Sequence, residues 1–283
     1  MTIFVSTIAF KNKSIDEIIS LAKRHGLKLE FSSGIPTDKG QKEAYLTSSI
    51  PRLLHNYFPP PDVPFVLNLA SQDKVIRRKS INHCKQGLSL AKESGSKYYS
   101  AHAGFCGDPK PEELGSRIDF TPNFDRELYW DTFKNSILEI LQFADQLGID
   151  FLIENNVCAK FNLTKINENP LLCAHPQEII AFFKQVDHQR VGLLLDTGHL
   201  KVSGHTLGFD VNNGVAEMWP NIKALHHSDN DGLKDSNEKI DNNYWFLPYI
   251  KRLKKVTHVL EVKNLDMNAI NEQLGILTSE IGK

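Results

Sequence analysis

Leu193-Leu-Leu-Asp196-Thr-Gly-His199 is a short apolar run that stops at a carboxylate and offers an imidazole three residues later. The same punctuation recurs along the chain. Arg52-Leu-Leu-His55 and Tyr98-Tyr-Ser-Ala-His102 end in imidazole, and Phe151-Leu-Ile-Glu154 and Val259-Leu-Glu261 end in carboxylate. Ala224-Leu-His226-His227-Ser-Asp229 ends in several such groups, and Leu27-Lys-Leu-Glu30 follows the same plan. Short apolar runs of this kind, bounded by polar residues, read as buried strands.

Stretches with helical periodicity separate most of these runs. Ser14-Ile-Asp-Glu17 is a capping-box pattern, and Ile15, Ile18, Ile19 and Ala22 then follow helical spacing up to Gly26. Strands are expected at Ile3–Phe10, Lys28–Phe31, Arg52–His55, Lys97–His102, Asp150–Glu154, Val191–Asp196, Lys223–His227 and His258–Val262. Helices are expected at Arg126–Leu147, Pro176–Val186 and Met267–Ile281, among others. Roughly eight β/α units favour a closed α/β structure, a single (β/α)8 TIM barrel, over an open doubly wound sheet. No linker or compositional break divides residues 1–283, so one domain is expected. The long loops Ala103–Phe124 and Asn155–His175 follow strands four and five, on the face where barrel active sites form.

Parallel barrel strands converge at their C-terminal ends, so donors far apart in sequence meet over the mouth. Any one strand-ending His or Asp is ordinarily a cap or a satisfied polar group. Several buried carboxylates together are costly unless a cation neutralises them. Mixed His and carboxylate donors suit Mn²⁺, Zn²⁺, Co²⁺ or Fe²⁺ better than an all-oxygen Ca²⁺ or Mg²⁺ cage. Strand alternation sends only one of His226 and His227 inward. His25, His83, His188 and His205 read as surface positions, His175 as a helix entry before Pro176, and His258 as the start of a strand.

Composition narrows the partners. The formal charge of −1 gives no global field toward nucleic acid or an anionic membrane. The chain lacks GxGxxG, GxxxxGK[ST] and GxSxG, which removes support for dinucleotide, P-loop and hydrolase-elbow readings. Cys84, Cys106, Cys158 and Cys173 show no CxxC spacing and read as free thiols. No targeting segment or membrane-length apolar run is evident, so a cytoplasmic location is expected. A homo-oligomer is compatible with the sequence.

These residues resemble the xylose-isomerase-like TIM-barrel superfamily, which includes sugar isomerases, sugar epimerases and the endonuclease IV type of AP endonuclease (family 2). The resemblance covers almost the whole chain. It rests on Leu195-Asp196-Thr-Gly-His199-Leu, His226-His-Ser-Asp229-Asn-Asp231-Gly, Ile153-Glu154-Asn and Leu260-Glu261. It implies a single metal held by Glu154, Asp196, His226 and Glu261, with Glu154 and Glu261 also the acid/base pair. His199 is an implied substrate contact, and Asp229 is a further candidate for one. His55 and His102 are expected to form an additional metal position with Glu154, or else to contact substrate. Phe65-Val-Leu-Asn68-Leu-Ala-Ser, after His55, is similar to the nuclease segment that follows a zinc-binding His. The chain departs from the nucleases at Asp235-Ser-Asn237, where they carry Asp-x-His to complete a third metal.

The resulting expectation is carbohydrate metabolism by a divalent-metal-dependent sugar, or sugar-derivative, isomerase or epimerase. It would transfer a proton through a metal-stabilised enediolate on a small sugar substrate. The alternatives are an endonuclease IV-like phosphodiesterase acting on abasic DNA and a non-catalytic, metal-stabilised binding barrel.

Overall fold

A computed structural model describes residues 2–32, 40–118, 120 and 122–279. Eight strands run in parallel: β1 (Thr2–Ser6), β2 (Leu29–Phe31), β3 (Arg52–Leu54), β4 (Tyr98–His102), β5 (Asp150–Glu154), β6 (Val191–Asp196), β7 (Ile222–His227) and β8 (Thr257–Leu260). Their order in the sheet is β3-β2-β1-β8-β7-β6-β5-β4. The last seam is drawn together by the bridge between His55 and Ser100, where the Asn56 N–H donates to the Ser100 carbonyl at 2.7 Å. The result is a (β/α)8 TIM barrel. The surrounding helices are α1 (Ile15–His25), α2 (Gln41–Thr47), α3 (Lys74–Ser94), α4 (Arg126–Leu147), α5 (Pro176–Val186), α6 (Thr197–Leu207), α7 (Val211–Met218), α8 (Leu247–Ile250) and α9 (Met267–Ser279). The last residues of the expected Met267–Ile281 helix lie outside the described residues.

Local chemistry sets these boundaries. The Ser14 hydroxyl accepts the Glu17 N–H while the Glu17 carboxylate accepts the Ser14 N–H, which caps α1. Gly26, at φ +66°, closes that helix in the left-handed region that a side chain disfavours. The expected Ile3–Phe10 strand is shorter than its apolar run. It ends at Ser6 and turns through a 3-10 segment at Thr7–Ala9, where the Thr7 hydroxyl accepts the Ser32 N–H at 3.0 Å. Strand β8 likewise stops at Leu260. Glu261 follows directly, its N–H donating to the His227 carbonyl.

The barrel interior explains where the polar groups go. Phe4, Leu53, Tyr98, Leu152, Leu194, Ala224 and Val259, one from each of seven strands, form a buried interior layer. Two residues further along each strand, on the same side by the period of the pleat, stand Ser6, His55, Ser100, Glu154, Asp196, His226 and Glu261. The mouth of the barrel is therefore a polar layer resting on an apolar one.

His227 faces outward and resolves the choice between the paired histidines. Its ring lies edge to edge with that of His258 and nearly coplanar with it, with 5.1 Å between centroids and 6° between planes. A chain of hydrogen bonds links the Tyr244 hydroxyl, both His227 nitrogens, His258 and the Leu253 carbonyl. With both rings neutral, one set of protons satisfies that chain: Tyr244 donates to His227 Nδ1, His227 Nε2 to His258 Nδ1, and His258 Nε2 to the carbonyl. Burial agrees with this, holding His227 well below the usual imidazole range and His258 down at about 4. The stability contributed by His258 is therefore complete above about pH 6.5 and is lost as the pH falls toward 4. A shift of this size corresponds to on the order of 3 kcal/mol. In urea unfolding, the stability gap between wild type and His258→Leu is expected to narrow as pH falls from 7 to 4. A gap independent of pH would contradict the neutral pair.

His83 corrects an expectation. It is buried rather than exposed, and its Nε2 lies 3.0 Å from the Asn56 carbonyl. Its helix α3 packs flat on the barrel, and a one-sided helical pattern does not reveal which polar residue falls under the contact.

Candidate metal centre

Glu154, at the end of β5, is the hub of the polar layer. It is buried, with 1% of its surface exposed. Its Oε1 lies 3.2 Å from His226 Nδ1 and 3.8 Å from His199 Nδ1. Its Oε2 lies 3.2 Å from both His55 Nε2 and His102 Nδ1. Glu261 Oε2 reaches His226 Nδ1 at 2.8 Å, and Asp196 Oδ2 stands 3.8 Å from the same nitrogen.

Three clusters result. One donor atom each from Glu154, Asp196, His226 and Glu261 lie within 4.8 Å of one another, and so do those of His55, Glu154 and His226 and those of His102, Glu154 and His199. The expected residues Glu154, Asp196, His226, Glu261, His55, His102 and His199 are thus brought together. Asp229 is not. Its carboxylate is held by Lys201 Nζ at 2.5 Å and accepts the Asn230 N–H, which fixes the loop after β7. Sequence reasoning left two residues without a role here. Asp235 Oδ2 lies 3.4 Å from His199 Nε2, and the buried Glu30 lies 3.0 Å from His226 Nε2.

Backbone clamps hold the donors in place. The Asn155 side chain accepts the Asp196 N–H at 2.7 Å and donates to the Asp196 carbonyl at 3.0 Å, locking the end of β6 to β5. Asp196 Oδ1 accepts the His199 N–H and so caps α6, leaving Oδ2 for the cluster. His199 Nδ1 lies 2.9 Å from the Asn155 carbonyl, which turns Nε2 toward the mouth. His55 Nδ1 is 2.9 Å from the Ser100 hydroxyl, which turns Nε2 toward Glu154.

The residues fit a divalent ion. Glu154 Oε2, Asp196 Oδ2 and His226 Nδ1 are buried, and despite these close neighbours none has a well-aligned hydrogen-bond partner. An ion with bonds of about 2.0–2.2 Å spaces its ligands by roughly 3 to 4.5 Å, close to the spread of these four donors. Electrostatics point the same way. Burial, reinforced by the charges of Glu261 and Glu154, pushes Asp196 up to about 8. Burial opposes ionisation of Glu261 as well, but His226 beside it holds that carboxyl at about 2. Burial likewise disfavours a charged His226, and the carboxylates of Glu261, Glu30 and Glu154 override it and raise the imidazole well above its usual range. Protons thus occupy positions that a cation could take, and His and carboxylate donors together suit Mn²⁺, Zn²⁺, Co²⁺ or Fe²⁺.

A cavity of about 490 Å³ adjoins the donor clusters at His102 and His199. Asp235, Lys234 and Lys263 line it beside these two imidazoles. The loops after β4 and β5 contribute Phe105, Ile118, Phe161 and Leu171 to its lining. These loops pair through the bridge between Phe105 and Leu171 and bury a small apolar cluster with Cys158 and Ala174. No helix among the described residues is long and apolar enough to cross a membrane.

An uncharacterized protein of Methanocaldococcus jannaschii is 24% identical over 201 residues, covering 70% of this chain and 61% of that protein. D-psicose 3-epimerase of Ruminiclostridium cellulolyticum is 33% identical over 91 residues, 32% of this chain and 28% of that enzyme. The chain therefore spans less than two thirds of either relative. Among solved structures, a D-tagatose 3-epimerase-like protein matches with a TM-score of 0.72 at 20% identity, covering 100% of this chain and 97% of that one. Endonuclease IV of Thermus thermophilus matches with a TM-score of 0.61 at 16% identity, covering 100% and 99%. At these identities the two structures establish the shared fold. The model of one family matches residues 8–268, and on that match the chain belongs to the xylose isomerase-like TIM barrel family.

Proposed function

We propose that this protein is a divalent-metal-dependent isomerase or epimerase of a sugar or sugar derivative. One observation carries the reading. Glu154 on β5 and Glu261 after β8 meet at the barrel mouth, at 3.2 Å and 2.8 Å from the same His226 nitrogen, and Glu154 touches His102, which with His199 lines a cavity of about 490 Å³. Paired carboxylates at one centre suit removal of a proton from one face of a carbon and its return at another position or face.

Glu154, Asp196, His226 and Glu261 would hold the ion, with His55 and His102 offering a second position beside Glu154. When bound, the ion supplies Lewis-acid chemistry, drawing charge toward the substrate's carbonyl and hydroxyl oxygens. Glu154 and Glu261 serve as the acid/base pair. His199 and His102, which line the cavity, contact substrate oxygens. The loops after β4 and β5 exclude water from the proton being moved.

A second reading has its own support. His55 and His102 converge on Glu154 Oε2, and Asp235 stands at His199, as a multinuclear phosphodiesterase would need. Asn237 weighs against it. A neutral carboxamide is a poor donor for Zn²⁺, and displacement at phosphorus depends on clamping both the attacking and leaving oxygens.

Metal-loaded protein in D2O, given a panel of ketoses and keto-sugar derivatives, is expected to place deuterium at a carbon next to the carbonyl of at least one of them. The same preparation is expected to leave abasic-site DNA intact. Metal-dependent incision of that DNA without any sugar exchange would reverse the ranking.

A further inference from the structure

Glu30, in β2, is fully buried, and neither carboxylate oxygen has a well-aligned hydrogen-bond partner. An isolated carboxylate in such a place is costly, so the position needs a compensating group. That group is His226. Glu30 Oε1 lies 3.0 Å from Nε2, while the other ring nitrogen, Nδ1, faces Glu154 and Glu261. Sheet pairing does not impose this contact. β1 and β8 separate β2 from β7, so the carboxylate meets the ring across the barrel interior. Glu30 also stands outside the clusters whose donor atoms converge on a common centre.

We propose that Glu30 is a positioning residue for the metal centre. It accepts the Nε2–H of His226, which fixes the ring's rotation and leaves the Nδ1 lone pair as the one directed at the ion. His226 is the sole imidazole of the four-donor cluster, and a neutral imidazole has one proton and one lone pair to distribute. Without an anchor at Nε2, the ring could equally protonate Nδ1 and present no lone pair to the centre. A carboxylate behind a ligating imidazole also makes it a stronger donor. This inference rests on the metal reading proposed above.

Two measurements on the full chain test it, one of which needs no metal. In metal-free protein labelled at histidine, the Nε2–H proton of His226 is expected far downfield in wild type and clearly upfield in Glu30→Leu. In competition with a chelator for Zn²⁺, Glu30→Gln and Glu30→Leu are expected to bind about 10- to 100-fold more weakly than wild type at unchanged stoichiometry. Glu30→Asp, which keeps the charge, should recover part of the loss. Should Glu30→Leu fail to fold, Glu30→Gln and Glu30→Asp carry both measurements. Unchanged affinity in Glu30→Gln, or an unmoved proton signal in the variant measured, overturns the proposal. Loss of a whole equivalent of Zn²⁺ also overturns it, since Glu30 would then be a ligand itself. Failure of wild type to bind Zn²⁺ would sink the metal reading alone, and the proton signal would still decide the role of Glu30.

Discussion

Glu154→Gln is expected to strip the protein of its metal and to lower sugar turnover by about 10³-fold or more, at the upper range for an essential acid/base group. Among the described residues, no other enters all three donor clusters. The amide keeps the shape of the side chain but removes the charge that faces His55, His102, His199 and His226. Thermal unfolding gives a second readout. A ligand at 100 times its Kd stabilises the folded state by about 2.7 kcal/mol, which raises Tm by roughly 5 °C in a chain of this size. Wild type should show that rise when Mn²⁺ or Zn²⁺ is added, and Glu154→Gln should show none. Full metal content in the purified variant would place the centre elsewhere.

The second large effect is on pH dependence. Asp196 is held up at about 8 by burial and by the carboxylates of Glu261 and Glu154, so below that pH it carries a proton when no ion is present. His226 is also raised well above its usual range, and Nδ1 must be free of its proton to bind an ion. Ion binding must expel these protons, so affinity rises with pH and levels off once they have left. Between pH 6 and 8 the association constant is expected to grow at least tenfold per pH unit. In Asp196→Asn one proton fewer is released, so the slope should fall by about one unit while affinity above pH 8 drops as well. Isothermal titration in two buffers of different protonation enthalpy counts the protons directly. An affinity flat from pH 6 to 8 would contradict this arrangement of charge.

Much of the barrel was legible because two signals coincide at each strand. The apolar run marks the strand, and the polar residue that ends it marks the mouth. That put Glu154, Asp196, His226 and Glu261 at converging positions, since the same residues that finish each strand sit two places beyond the interior layer. The alternation rule limited His226 and His227 to one inward ring, and only packing identified it: Ala224 lies in the interior layer, which sends His226 inward. Apolar character alone could not mark the end of β1, because Ile8, Ala9 and Phe10 continue the hydrophobic run past the turn. Asp229 looked like a site residue from its place after β7, yet Lys201, on α6, takes its carboxylate. Glu30 ended its run in the same way as the proposed ligands, but its contact with His226 is made three strands away and no local pattern encodes it. The loops after β4 and β5 were placed by length, and their mutual packing through Phe105, Ile118 and Leu171 required the folded chain.

Anomalous X-ray diffraction from crystals of the wild-type protein grown with Zn²⁺ or Mn²⁺ tests the central claim most directly. A strong peak is predicted among Glu154, Asp196, His226 Nδ1 and Glu261, about 2.0–2.2 Å from each donor for Zn²⁺. No peak at that position in metal-saturated crystals, with the carboxylates sharing protons instead, would contradict it.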